Sequence, residues 1–380
     1  MIVRNARIVL AAEVVVGCIA VEDGRIVSVD AGTTGVPGAI DFDGDYLLPG
    51  LVELHTDNLE KNLMPRPKVR WPTLPAILAH DAQVATAGIT TVLDALSAGD
   101  ITHDSVRVET LEESMRLIGY AGDSGMLRAD HLLHLRCEIS VANVMELAAP
   151  LIDHPRLRLV SLMDHTPGQR QWTDIAHYRV YVTGKHGWDE PMVVKMLSEL
   201  SISQARYAGP HRQALTALCR ERQVPLATHD DTTEEHIHEA VADGVAISEF
   251  PTTVAAARTA RAHGLATIMG APNVVRGGSH SGNVAAVDLA KLGLLDALSS
   301  DYVPASLLHA AWLLTGEAGF SLPDAVSTVT ARPAAMVGLD DRGRIAPGLR
   351  ADFIRVRPPD DSHGHCPVVC AAWRTGERVV

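Results

Sequence analysis

The sequence predicts an α/β fold: a (β/α)8 barrel of the TIM type with a small β-sandwich domain formed by both termini. Three observations carry this. Eight short apolar runs alternate with helical stretches through the middle of the chain, the pattern of a parallel sheet wrapped by helices. Both ends alternate apolar and polar residues around glycine turns, so they read as strands that pair into one domain. The chain has 380 residues, 47% of them apolar and 21% charged, enough to bury a barrel core with a satellite. A doubly wound open sheet is the rival, because alternation alone does not prove closure.

Residues 1–49 begin the small domain. "IAVEDGRIVSV" is a hairpin pattern with Asp23-Gly24 at its turn. Arg7 and Glu13 interrupt the early apolar run, so the N-terminus reads as strands and not as a targeting segment. The barrel is expected over 50–335. Its strand runs are "GLVELHTDN", "TTVLDAL", "LLHLRCEIS", "LRLVSLMDHT", "VPLATHDDT", "VAISEFPTT", "ATIMGAPN" and "ALSSDYV". Helical patterns such as "TLPAILAHDAQVATAG", "HRQALTALCRERQ" and "VAAVDLAKLG" lie between them. Residues 336–380 return to the small domain through "DRGRIAPGLRADFIRV" and "VVCAAWRTGERVV".

Bulk properties narrow the function classes. The net charge of −13 argues against a general nucleic-acid surface. A local basic pocket or a metal can still serve a polyanionic substrate. No run reaches the roughly 18 apolar residues of a membrane span. The five scattered cysteines, Cys18, Cys137, Cys219, Cys366 and Cys370, speak for free thiols and a cytoplasmic location.

Polar residues gather at the C-terminal ends of the apolar runs, where a barrel places its active site. They are His55 and Asp57, Asp94, Glu138, Asp164 and His165, His229 and Asp230, Glu249, and Asp301. His55 and Asp57 are two apart and share a side of the strand, so they can hold one ion. Imidazole with carboxylate suits zinc, manganese or iron better than calcium. A lone histidine at a strand end is more often structural. Convergence of charged groups from most strands favours a metal, because unpaired buried charges repel.

The stretches "LLPGLVELHTDNLEKNLMPRPKVRWP", "HLRCEIS", "LVSLMDHTPGQRQ", "ATHDDTT", "EFPTT", "MGAPNVVRGGSHSGNVAA" and "LSSDYVPASLL" resemble the amidohydrolase superfamily. Within it they resemble the PhnM family of the carbon–phosphorus lyase pathway. The resemblance covers nearly the whole chain. It implies hydrolysis of α-D-ribose 1-methylphosphonate 5-triphosphate to the 5-phosphate and pyrophosphate in phosphonate catabolism. It also implies two divalent ions per chain, zinc first and manganese or iron next. Of the superfamily's usual ligands, His55, His229 and Asp301 match. Asp57 stands where a second histidine is common, no lysine stands at the bridging place of strand four, and Glu249 replaces a histidine.

A rearranged ligand set follows as an expectation: His55, Asp57, Glu138 and Asp301 for one ion, with His165 and His229 completing the second around a bridging Glu138. Asp301 is expected to orient the attacking water and take its proton. Glu249 is either a ligand or a group orienting a histidine. Basic and amide residues after the strands are expected to hold the triphosphate: Lys61 and Arg66, Gln169 and Arg170, Lys185, and Arg276, Ser279 and His280. The glycines of "RGGSHSGN" let backbone N–H groups approach a phosphate. "DSHGHC" reads as a solvated loop, His236 and His238 as surface or supporting residues, and Cys137 as core packing. The rivals are a cyclic-amide hydrolase or deaminase, and a non-catalytic subunit of a larger assembly. A homodimer is the default assembly, with neither nucleic acid nor membrane as partner.

Overall fold

The computed structural model describes residues 1–101, 106–186, 189–279, 282–359 and 366–380. The N-terminal strands are β1 (Ile2–Val9), β2 (Val14–Glu22), β3 (Arg25–Ala31), β4 (Ile40–Asp41) and β5 (Tyr46–Pro49). The barrel strands are β6 (Leu51–Thr56), β7 (Ile89–Ala98), β8 (Asp130–Glu138), β9 (Leu157–Met163), β10 (Leu226–His229), β11 (Ile247–Glu249), β12 (Ala266–Gly270) and β13 (Ala297–Ser299). The chain ends in β14 (Phe353–Arg357), β15 (Val368–Arg374) and β16 (Glu377–Arg378).

Both termini hydrogen-bond into one sheet, in the order β16-β15-β14-β5-β1-β2-β3, with β4 also on β1. Its apolar face closes around Val3, Ile8, Ile19, Ile26, Phe42, Leu47 and Phe353. Trp373 stacks on Phe353 at 4.8 Å and on Phe42 at 5.7 Å between ring centroids. Gly50 is the pivot between this sheet and the barrel. Its N–H donates to Asp352 O at 2.9 Å, and a Cβ there would stand 2.1 Å from Thr90 Oγ1. Only glycine permits that approach.

Strands β6 to β13 form the second sheet in sequence order, all pairs parallel. The sheet curls until its edges meet. Asp301 N–H donates to His55 O and Asp57 N–H donates to Asp301 O, both at 3.1 Å. Lower down, Val52 N–H donates to Val329 O and Leu298 N–H to Thr328 O, so the segment at 328–329 fills the seam. Parallel strands covered on both faces read as unbroken apolar runs. All ten residues of β7 are buried accordingly. Val52, Leu54, Leu93, Leu132, Leu159, Ala227, Ile247, Ile268 and Ala297 fill the interior, at least one from every strand.

Two features follow the strands on the upper face. Helices α1 (Asn58–Leu63) and α2 (Thr73–Thr86) follow β6. After β9 the chain makes the helices Ile175–His186 and Glu190–Arg222, the latter started by the Asp189 side chain accepting from Met192 N–H. Tyr178, Val182 and Val193, with Trp172 and Leu197, give this excursion a small core of its own. All five cysteines are free, and among the described residues no helix is long and apolar enough to cross a membrane.

Candidate metal centre

The polar strand ends converge on a cavity of about 940 Å³. Period-two alternation along β8 sends His134, Arg136 and Glu138 inward, while Cys137 packs into the outer core. His55 is the penultimate residue of β6, His229 ends β10 and Glu249 ends β11. Asp230 and Asp301 follow their strands with left-handed backbones, φ 54° and 53°. Such turns suit Asp better than most residues and swing the carboxylates over the barrel mouth.

Glu249 sits at the floor, fully buried. Its Oε1 lies 3.2 Å from His55 Nδ1, and its Oε2 lies 3.3 Å from His229 Nδ1. The Ser161 hydroxyl donates to Oε2 at 2.6 Å. Ser161 Oγ is also 2.5 Å from His134 Nε2, whose ring partner Nδ1 meets Leu54 O at 2.9 Å. Burial favours a protonated Glu249 carboxyl, but the His55 ring and the hydrogen bonds from His229 and His55 outweigh it and hold the group well below the usual range. Burial instead keeps His134 neutral, its imidazolium pKa pulled to about 3.

A second cluster lies beside it. His165, His229 and Asp230 bring ligand atoms within 4.8 Å of one another, as His55, His134 and Glu249 do. Glu138 accepts from His165 N–H at 3.0 Å and from the Ser140 hydroxyl at 2.8 Å, and its Oε2 is 2.5 Å from His165 Nδ1. Burial lowers the His165 imidazolium, yet Glu138 more than reverses this and the net shift is upward. Asp57 and Asp301 face each other across the seam. Burial, then the charge of Asp57, pushes the Asp301 carboxyl up to about 7. Two carboxylates held together at low solvent access call for a cation, and the surrounding imidazoles supply ligands of the type zinc and manganese accept. The donor set therefore fits divalent metal.

Several sequence expectations land on the cavity and others do not. His55, Asp57, Glu138, His165, His229 and Asp301 line it, as do Lys61, Arg276 and Ser279. The tight partners of His55 are His134 and Glu249, and the carboxylate touching both His55 and His229 is Glu249, not Glu138. Arg170 is turned away: its buried guanidinium donates to His229 O at 2.9 Å and to Asp231 Oδ1 at 2.7 Å, fixing the end of β10. Gln169 and Arg66 do not line the cavity; Gln171 and Trp172 stand there instead. Arg66 is exposed in a turn bridged to Val69. His280 and the Lys185 side chain lie outside the described residues, as does most of "DSHGHC".

Asp94 leaves the mouth altogether. It lies mid-strand in β7 and faces α2, with His80 Nε2 2.7 Å from one oxygen and His131 Nδ1 2.8 Å from the other. His131 Nε2 reaches Asp81 at 3.4 Å, and Asp81 also accepts from the Arg128 and Ala129 N–H groups. Asn58 Nδ2 donates to His80 Nδ1 at 3.0 Å. That assigns the His80 proton to Nε2, where it bonds Asp94. The sequence reading does not single out His134, Arg136 or Ser161; the alternation along "HLRCE" is the available signal for the first two, while Ser161 lies on β9.

No family model matches the chain. It is 46% identical, over 100% of both chains, to "Alpha-D-ribose 1-methylphosphonate 5-triphosphate diphosphatase" of Escherichia coli strain K12. Among solved structures, it resembles a 5-methylcytosine deaminase from Klebsiella pneumoniae, with TM-score 0.65, 16% identity and coverage of 100% and 98%. An N-acetyl-D-glucosamine-6-phosphate deacetylase from Mycobacterium smegmatis matches at TM-score 0.64 and 15% identity over 100% of each chain. The barrel with its terminal sheet is thus a fold shared with this deaminase and this deacetylase, and the chain belongs to the family of alpha-D-ribose 1-methylphosphonate 5-triphosphate diphosphatases.

Proposed function

We propose that the protein hydrolyses α-D-ribose 1-methylphosphonate 5-triphosphate to the 5-phosphate and pyrophosphate, within phosphonate breakdown in the cytoplasm. The observation that carries this reading is one cavity with a histidine–carboxylate floor and the basic side chains Lys61 and Arg276 on its walls. A neutral amide has no use for such cations. The metal ligands are taken to be His55, Asp57, His165, His229 and Asp301, with Glu249 and Glu138 as the carboxylates that share or orient them. Two zinc ions are the favoured content. When bound, divalent metal supplies Lewis acidity to phosphoryl oxygens and lowers the pKa of water.

The chain's own residues do the rest. Asp301 stands at the mouth to orient the attacking water and accept its proton. A P–O bond forms to that water, the bridging P–O bond breaks, and pyrophosphate leaves. Glu249 holds the His55 and His229 rings in fixed orientation through their Nδ1 atoms. Tyr178 and Val182, from the helical excursion after β9, wall the cavity against water. Exposed apolar side chains on that excursion, Val180, Val194 and Ile202, favour a homodimer. The decisive assay follows pyrophosphate release from the ribose triphosphate. Release that a chelator abolishes and a divalent ion restores is the expected result; amide turnover in its place would sink the reading.

A further inference from the structure

Three basic side chains line the cavity among the described residues: Lys61, Arg136 and Arg276. They are not equivalent. Lys61 and Arg276 are exposed, and Lys61 is already bonded to Tyr302 O while lying over its ring. Arg136 is only 8% exposed and comes from the middle of the polar floor, two residues before Glu138. Its Nε donates to Met163 Sδ at 3.4 Å, a weak acceptor that fixes the plane of the guanidinium. Its Nη1 is buried without a hydrogen-bond partner, and the nearest carboxylate, Asp57 Oδ2, is 3.7 Å away.

A buried guanidinium with an unmet N–H is costly, by about 1–3 kcal/mol or more for a charged group. Such a cost persists where a ligand relieves it. Asp57 does not meet that N–H group, although it is close enough to hold the charge in place. The missing partner must accept from a planar fork, carry negative charge and enter through the cavity. A phosphoryl group has all three properties.

We propose that Arg136 is a catalytic residue, the guanidinium that binds the oxygens of the phosphoryl group under attack. This rests on the hydrolase reading above and deepens it. The exposed cations Lys61 and Arg276 then hold the outer part of the triphosphate, where solvent screens them. The buried fork on the floor meets the phosphorus at the metal-binding carboxylates. In a low-dielectric site, donors aimed at developing charge contribute most of their effect in the transition state. Arg136 therefore governs kcat, and the wall cations govern KM.

The test uses the full-length protein with Arg136→Ala and Arg136→Lys, metal content being measured for each. Arg136→Ala should lower kcat about 100- to 1,000-fold while KM rises by no more than about tenfold and metal content stays at the wild-type level. Added guanidinium should restore activity to Arg136→Ala, and methylammonium should not. Inorganic phosphate binding, followed by calorimetry, should weaken about tenfold in Arg136→Lys. A kcat near wild type in Arg136→Ala overturns the proposal, as does loss of metal with no guanidinium rescue. If the wild type releases no pyrophosphate, the hydrolase reading fails, and unchanged phosphate affinity in the variants would separately dismiss Arg136.

Discussion

Among the described residues, two of the three histidine–carboxylate clusters offer similar side chains, and only one of these two borders the cavity. His80, Asp94 and His131 bring ligand atoms as close together as His55, His134 and Glu249 do. In the first, each hydrogen-bonding group has a protein partner. Asn58 serves His80, two histidines serve Asp94, and Asp81 with Arg128 completes the chain. It lies between β7, β8 and α2, away from the cavity. In the second, carboxylates outnumber the cations that could neutralise them, Arg136 Nη1 has no acceptor, and a cavity of about 940 Å³ opens above. Residue type does not distinguish the two. Unmet charge and access do.

The comparison predicts opposite consequences for matched substitutions. His229→Ala should remove bound metal and lower kcat by at least about 1,000-fold, the scale of electrostatic and metal effects, with a small shift in melting temperature. Metal analysis beside thermal unfolding checks this. His131→Ala should leave metal per folded molecule unchanged and cost about 3–5 kcal/mol of stability, because Asp94 and Asp81 lose a buried counter-charge. Urea unfolding measures it. If His131→Ala strips metal from a folded protein, the two clusters are not independent.

pH sharpens the contrast. Burial would depress the His131 imidazolium, but Asp94 and Asp81 raise it to about 9. A folded pKa above the unfolded value of about 6.5 stabilises the protein fully below 6.5 and loses that effect as pH rises through about 9. The loss should be on the order of 3 kcal/mol, read as a falling urea midpoint between pH 7 and 10. His131→Ala should flatten that slope. The smallest effects belong to the exposed cations. Arg276→Ala should raise KM for a triphosphate more than for a monophosphate ester. Arg66→Ala, away from the cavity, should change KM by less than about threefold, since exposed charges contribute little.

Much of the architecture was legible because it is local. An apolar run ending in a polar residue marks a barrel strand and its upper end, so His55, His229 and Asp301 could be placed without coordinates. The terminal strand patterns likewise announced a second sheet. Asp94 misled because it too sits in an apolar run; its place in mid-strand and the direction of its side chain toward α2 separate it from the mouth. Arg170 misled because its backbone turns left-handed at φ 49° and sends the guanidinium beneath β10.

By itself the sequence determined the order of strands and helices, the ends at which polar groups collect, and the family, since each depends on neighbours along the chain. Tertiary structure alone decided which carboxylate two histidines share, which cluster is satisfied, and that Arg136 stands among acids with an N–H group unmet. These depend on barrel closure. Closure brings β6 against Asp301, and strand alternation turns His134, Arg136 and Glu138 to the same interior. Distances across a barrel are set by packing and register, and no local pattern encodes them.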